Sequence, residues 1–129
     1  QNSKVKFYIG DVRDRSSVDD AMPDVDYVFH AAALKQVPTC EFFPMQATQT
    51  NVLGSQNVIE SAISNGVSKV VSLSTDKAVY PVNALDITKA LMDKVVQATS
   101  RKLSEGQTIL TLVRYGNVLF SCGSVFLFI

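Results

Sequence analysis

Ser74-Thr75-Asp76-Lys77-Ala78-Val79-Tyr80, with Lys89 further along, is where the side chains of this chain could do chemistry. A hydroxyl, a carboxylate and an ammonium follow one another directly after the apolar run Val70-Val71-Ser72-Leu73. Strand ends are where open α/β sheets hold ligands, so a polar trio there can bring an acid, a base and a hydrogen-bond donor to one reacting centre. Lys77 beside Asp76 lets each charge tune the other's proton affinity, and Lys89 brings a second amine from the next element. The same residues have a simpler use, because Thr75 or Asp76 can also cap the segment that follows the strand.

Other polar positions carry two readings each. Gly10-Asp11-Val12-Arg13-Asp14 is a turn whose carboxylates either cap it or leave Asp11 to accept a hydrogen bond from a ligand amino group. Ala31, Ala32 and Ala33 close an apolar run; their small side chains suit tight helix packing or close approach of a ligand to the backbone. Lys35 is either solvated or within reach of a phosphate or hydroxyl. His30, the only histidine, ends an apolar run and is read as packed and hydrogen-bonded rather than catalytic. Asn51 is read as a cap or a tie between loops.

The elements that must position these groups follow from periodicity. Residues 5–9 alternate and read as a strand before the Gly10-Asp11 turn. Ser16 is expected to cap a short helix through Met22, with Asp19 in its first turn. Residues 25–31 read as a strand after the turn signal Pro23-Asp24. Residues 34–43 read as a long loop leaving a strand end, a usual place for binding. A helix is expected over 44–65, with Val52, Ile59 and Ile63 on one face, Val58 and Ala62 beside it, and Gly66 as its stop. Residues 67–73 form the next strand. Residues 83–103 form the next helix, with a Leu91, Val95 and Ala98 stripe and Gly106 at its end, and residues 109–113 the last strand. These stripes are read as core rather than cofactor contacts. Residues 121–129 receive no assignment. Continuous apolar strands alternating with long helices predict an α/β fold, a doubly wound parallel sheet covered on both faces.

Composition narrows the class. The chain has 129 residues, enough for one domain, and 47% are hydrophobic, enough for a core. Twelve basic and twelve acidic residues give zero formal charge, so no basic field for nucleic acid is present. No apolar run approaches the roughly 20 residues of a membrane span, and no secretory signal is read. Cys40 and Cys122 make neither a disulfide framework nor a zinc pattern. Two reduced thiols, no metal and a cytoplasmic location are expected. The chain opens on Gln1 rather than methionine, so either a removed start or a longer parent is expected.

Five motifs taken together resemble one group of proteins. They are Asp11-Val12-Arg13-Asp14, His30-Ala31-Ala32-Ala33-Leu34-Lys35-Gln36-Val37-Pro38, Thr50-Asn51-Val52-Leu53-Gly54-Ser55-Gln56-Asn57-Val58, Ser74-Thr75-Asp76-Lys77-Ala78 and Arg114-Tyr115-Gly116-Asn117-Val118. They resemble the inverting UDP-N-acetylglucosamine 4,6-dehydratases, extended short-chain dehydrogenase/reductases among the polysaccharide biosynthesis proteins, over residues 4–124. Val79-Tyr80-Pro81-Val82-Asn83-Ala84 is most similar to the capsule and O-antigen branch, some of whose members also epimerise the sugar ring.

The resemblance implies a single partial NAD(P)-binding, Rossmann-like domain over residues 1–129. It implies a UDP-sugar substrate and NAD or NADP as cofactor. Hydride leaves C4 of the sugar, C5 loses a proton, the C6 hydroxyl departs as water and hydride returns to C6. By motif position Thr75 holds the C4 oxygen, Asp76 protonates the leaving group, Lys77 is the C5 base and Lys89 binds the nicotinamide ribose. Asp11 and Val12 meet adenine, Ala31, Ala32 and Ala33 meet the cofactor, and Lys35, Arg114 and Asn117 lie near substrate. The family's usual dimer surface corresponds to residues 44–65 and 83–103, so a homo-oligomer is expected.

Several positions depart from the pattern. Leu85 replaces the active-site tyrosine, Asp86 a small residue, Phe120 a small residue and Cys122 an arginine, and residues 125–129 no longer follow the family. The family's glycine-rich turn would precede Gln1, and its substrate domain would follow Ile129. The isolated chain is therefore expected to be inactive, with bare edges that invite association. The alternatives are a noncatalytic remnant serving as a small binding or assembly module, and an excerpt of a reductase or epimerase, against which Lys77 beside Asp76 argues.

Overall fold

Three parallel strands in the order β1-β2-β3 form the sheet of this computed structural model, which describes residues 4–118. The strands are β1 (Tyr27–His30), β2 (Lys69–Thr75) and β3 (Ile109–Tyr115). Tyr27 pairs with Lys69 and Lys69 with Ile109, so the three strands start level and β2 and β3 run on past β1. Before β1 lies α1 (Arg15–Ala21); between β1 and β2 lie α2 (Val37–Phe42), α3 (Pro44–Thr48) and α4 (Gly54–Ser64); between β2 and β3 lies α5 (Ala84–Ser100). The fold is the expected α/β, Rossmann-like parallel sheet.

Both crossovers advance one strand in the same direction. Parallel crossovers are right-handed, so both sets of helices land on one face. Burial follows that rule: Val70, Ser72 and Ser74 of β2 are buried, as is His30 of β1. On that face Met22, Ala62, Val67 and Val70 make one core cluster, and Ile59, Met92 and Val96 a second. The opposite face shows Tyr27, Phe29, Ile109, Val113 and Tyr115 to solvent, with Phe29 77% exposed. Cover on both faces was the expectation. Among the described residues one winding, and so one covered face, is present.

The helix boundaries have local causes. Asp14, not Ser16, caps α1: its carboxylate accepts from the Ser16 amide at 3.0 Å and from the Ser16 and Ser17 hydroxyls, both at 2.9 Å. Asp14 stands directly before the first helical residue, Arg15, where a side-chain oxygen can reach the free amides of the first turn. The expected helix over 44–65 is α3 and α4 joined by a widened π-turn, Gln49–Leu53. It stops at Gly66, whose φ of +70° suits glycine, with the Val67 amide donating back to the Ala62 carbonyl at 3.0 Å. The loop expected over 34–43 contains α2, with Pro38 in its first turn. α5 ends at Ser100, short of 103.

Two expectations fail outright. Residues 5–9 form no strand, because no neighbouring segment among the described residues offers them a ladder; Phe7 and Ile9 are exposed. The Leu91, Val95 and Ala98 stripe is not the core of α5. Met92 and Val96 are buried while Leu91 is 48% exposed. The helix turns this way because Thr88, Lys89 and Asp93 have partners inside, and polar residues on a buried face mislead a hydrophobic count. No helix among the described residues is long and apolar enough to cross a membrane. Phe120, Cys122 and residues 121–129 lie outside the described residues.

Candidate active site

β2 delivers its last residue, Thr75, to the end of the sheet, where the chain turns into a short 3-10 segment, Asp76–Val79. The Thr75 hydroxyl oxygen accepts from the Lys77 amide at 3.3 Å and the hydroxyl donates to Asp76 Oδ1 at 3.1 Å. Thr75 therefore does cap the next segment, and that turn aims Lys77 back across the strand end. A cavity of about 670 Å³ opens there, lined by Ala31, Ala33, Lys35, Thr75, Lys77 and Lys89, with Asn117 at the β3 end.

Lys89 reaches this cavity from the second turn of α5. Asn83 starts that helix by accepting from the Asp86 amide at 2.9 Å, and Glu41 of α2 accepts from the Ala84 amide at 2.6 Å. The Lys89 ammonium donates to the Leu73 carbonyl at 2.9 Å and lies 4.0 Å from Met92 Sδ. Burial lowers its pKa below the usual lysine value, and the Asp93 carboxylate partly offsets that. Burial, with the Lys89 charge, also holds the His30 imidazole down to about 4. His30 is buried and hydrogen-bonded to Ser55 Oγ at 2.7 Å, the packed role its position suggested.

A second cavity, of about 440 Å³, is lined by Asp11, Val12, Ala31 and Ala32 among others. Ala31 borders both cavities; from there the second follows the free edge of β1 past His30, Phe29, Val28 and Tyr27. Val12 is clamped by α4: its carbonyl accepts from Asn57 Nδ2 at 2.9 Å, and its methyl would lie 2.8 Å from a Cβ at Gly54. Asp11 accepts from the Arg13 amide at 2.9 Å and from Arg13 Nη2 at 2.6 Å. Those bonds hold its carboxyl at about 2, and it is ionised throughout the neutral range.

Two of the expected residues stand apart. Arg114 does not line the cavity; its Nη2 and Nε donate to Asp93 Oδ2 at 2.8 and 3.0 Å, tying β3 to α5. Asp76 does not line it either; its Oδ2 would lie 3.3 Å from a Cβ at Gly116, so it sits against the β3 end. Leu85 and Asp86 do border the cavity, and Leu85 offers no proton-transfer group. Ser74 opens the polar motif read from the sequence but received no role of its own there. Its hydroxyl is buried, has no partner among the described residues and borders the cavity beside Lys89. Strand alternation from Val70 through Ser72 was the signal that it points to the helix side.

These features fit a dinucleotide. The cavity at the end of β2 offers Ala31 and Ala33 where a backbone-hugging ligand would pass, the Lys89 ammonium with one N–H to spare and the orphaned Ser74 hydroxyl, and Asp11 and Val12 line the neighbouring cavity that shares Ala31. Lys77 and Thr75 border the same end of the cavity. No cluster among the described residues could hold a metal ion.

Comparisons with known proteins bear on the family and the fold. The profile of a family described as polysaccharide biosynthesis protein matches residues 1–129. Over 124 residues the chain is 66% identical to the UDP-glucose 4-epimerase of Rickettsia prowazekii, covering 96% of the chain and 36% of that protein. The chain thus spans about a third of the length of such curated relatives. The X-ray structure of Pen from Bacillus thuringiensis superposes with a TM-score of 0.93 at 40% identity, over 98% of this chain and 40% of that one. A dTDP-glucose 4,6-dehydratase, DesIV from Streptomyces venezuelae, solved as a double mutant with NAD and DAU bound, gives 0.79 at 26%, over 88% of this chain and 38% of that one.

Proposed function

The chain belongs to the polysaccharide biosynthesis protein family, and from that membership we propose that it forms part of an NAD(P)-dependent enzyme that remodels the sugar of a UDP-sugar for a bacterial surface polysaccharide. The reaction we favour is 4,6-dehydration of UDP-N-acetylglucosamine. The observation that carries it is Lys77 at the cavity beside Thr75 and Lys89, an amine where proton removal from carbon is needed.

The dinucleotide, when bound, supplies the acceptor and donor of hydride. Lys89 and the orphaned Ser74 hydroxyl would hold its ribose end, and Asp11 and Val12 its adenine end. Thr75, whose own proton goes to Asp76 Oδ1, would accept from the C4 hydroxyl of the sugar and pass that proton on to Asp76 as hydride leaves C4. Lys77 would then take the C5 proton made acidic by the C4 ketone. The Asp76 carboxyl, protonated in this way, would turn in from the β3 end to give its proton to the departing C6 hydroxyl, and water leaves. Lys35 and Asn117 border the same cavity and would meet the substrate; Arg114 acts at one remove, through its pair with Asp93.

A second reading is 4-epimerisation, which the name carried by the rickettsial relative favours. Lys77 beside Asp76 weighs against it, because inversion at C4 removes no further proton from carbon. Product analysis decides between them. The longer parent protein that carries this chain, given UDP-N-acetylglucosamine and NAD or NADP in heavy water, is expected to yield a 4-keto-6-deoxy sugar labelled at C5, and the isolated chain none. A C4-inverted sugar without the ketone would establish the epimerase, and absence of dinucleotide binding would remove both.

A further inference from the structure

Asp86 lies in the first turn of α5, is 4% exposed and borders the cavity at the end of β2. Its amide donates to Asn83 Oδ1 at 2.9 Å, but among the described residues no donor reaches its carboxylate. Asp93, the other acidic residue buried among the described residues, is held by two N–H groups of Arg114. Lys35, Lys77 and Lys89 border the same cavity as Asp86, and no ion pair joins it to any of them.

The helix does not account for this carboxylate. An acidic residue at its position can close a capping box by accepting from the amide of the cap residue, and that return bond to Asn83 is not made. The start of α5 is held without it: Asn83 Oδ1 takes the Asp86 amide, and Glu41 takes the Ala84 amide at 2.6 Å. A carboxylate accepts hydrogen bonds, and a buried acceptor without a donor is costly. A ligand that brings an O–H to Asp86 removes that cost.

The surroundings indicate which part of a ligand that is. Glu41 ties α2 to the start of α5, and residues 35–38, which lead into α2, line the cavity with Asp86. The adenine end of a dinucleotide is assigned to Asp11 and Val12 in the second cavity, which Asp86 does not border. Three lysines and one unpartnered carboxylate suit a ligand that is anionic in one part and rich in hydroxyls in another.

We propose that Asp86 is a specificity-determining residue that accepts a hydrogen bond from a hydroxyl of the substrate's sugar. This rests on the proposed function, which supplies the UDP-sugar.

The test compares three ligands by isothermal titration calorimetry on the longer parent protein that carries this chain: UDP-N-acetylglucosamine, UDP, which lacks the sugar, and NADH. In Asp86→Ala the affinity for UDP-N-acetylglucosamine should fall roughly tenfold to a hundredfold, the usual worth of a hydrogen bond to a carboxylate. UDP and NADH should bind no more weakly than before. Asp86→Asn keeps one acceptor oxygen and should lose less. An unchanged affinity for the sugar nucleotide, an equal loss for UDP, or a loss confined to NADH overturns the proposal. If Asp86→Ala fails to fold, Asp86→Asn decides with the same three ligands. An unaltered protein that binds neither UDP nor UDP-N-acetylglucosamine overturns the proposed function and this proposal with it.

Discussion

At the scale of single residues, the chemistry is carried by a few groups whose surroundings are explicit. Lys77→Met removes the proposed C5 base. Exchange of the C5 proton with solvent should fall by roughly a hundredfold or more, the usual worth of a positioned base, with NADH affinity unchanged; mass spectrometry of recovered sugar nucleotide checks it. His30 makes a pH prediction. Its imidazole titrates at about 4 in the folded chain against 6.5 when free. The unfolded chain therefore binds the extra proton between those values. Stability from His30 is fully present above pH 6.5 and is lost as pH falls toward 4. The loss should total about 3 kcal/mol, read from urea unfolding at stepped pH. His30→Gln should flatten that slope. The polar motif at residues 74–77 was legible because three polar types sit directly after an apolar run. That Arg114 serves Asp93 rather than the cavity was not, because a buried carboxylate 21 positions earlier in the chain has no local signature.

At the scale of elements, helix ends and close contacts set where the site residues stand. Asn83→Ala removes the cap of α5 and should cost about 1 kcal/mol, seen as a lower unfolding midpoint. Gly54→Ala would bring a Cβ to 2.8 Å from a Val12 methyl. Overpacking there should cost about 1–3 kcal/mol and loosen the Asp11-Val12 turn. The helix stop at Gly66 and the middle and last strands were readable, since glycine punctuation and continuous β-branched runs are local signals. The rotation of α5 was not: apolar residues fill two neighbouring stripes, and Thr88, Lys89 and Asp93 select the inner one through partners on other elements. The failed strand over 5–9 has the same cause, because alternation describes a willingness to pair and a neighbour must supply the pairing.

For the molecule as a whole, direction of winding accounts for what is covered. The chain was expected to be wrapped on both faces, yet two crossovers of one hand advancing one way leave Phe29 and its neighbours bare. The outward stripe of α5, Ile87 and Leu91, is exposed, as are Met45 and Leu53 on the helices beside it. We propose that these helices, residues 44–65 and 83–103, pair with a second copy. Light scattering should find an oligomer that Ile87→Glu with Leu91→Glu converts to monomer; an unchanged mass would place the contact elsewhere. Ala31 stands at the rim of both cavities, and that has one more consequence. A branched side chain in its place would crowd whatever enters from either side. Ala31→Leu should therefore blunt the uptake of NADH, followed by fluorescence titration, with the unfolding midpoint left where it was; undiminished uptake would put the nucleotide somewhere else.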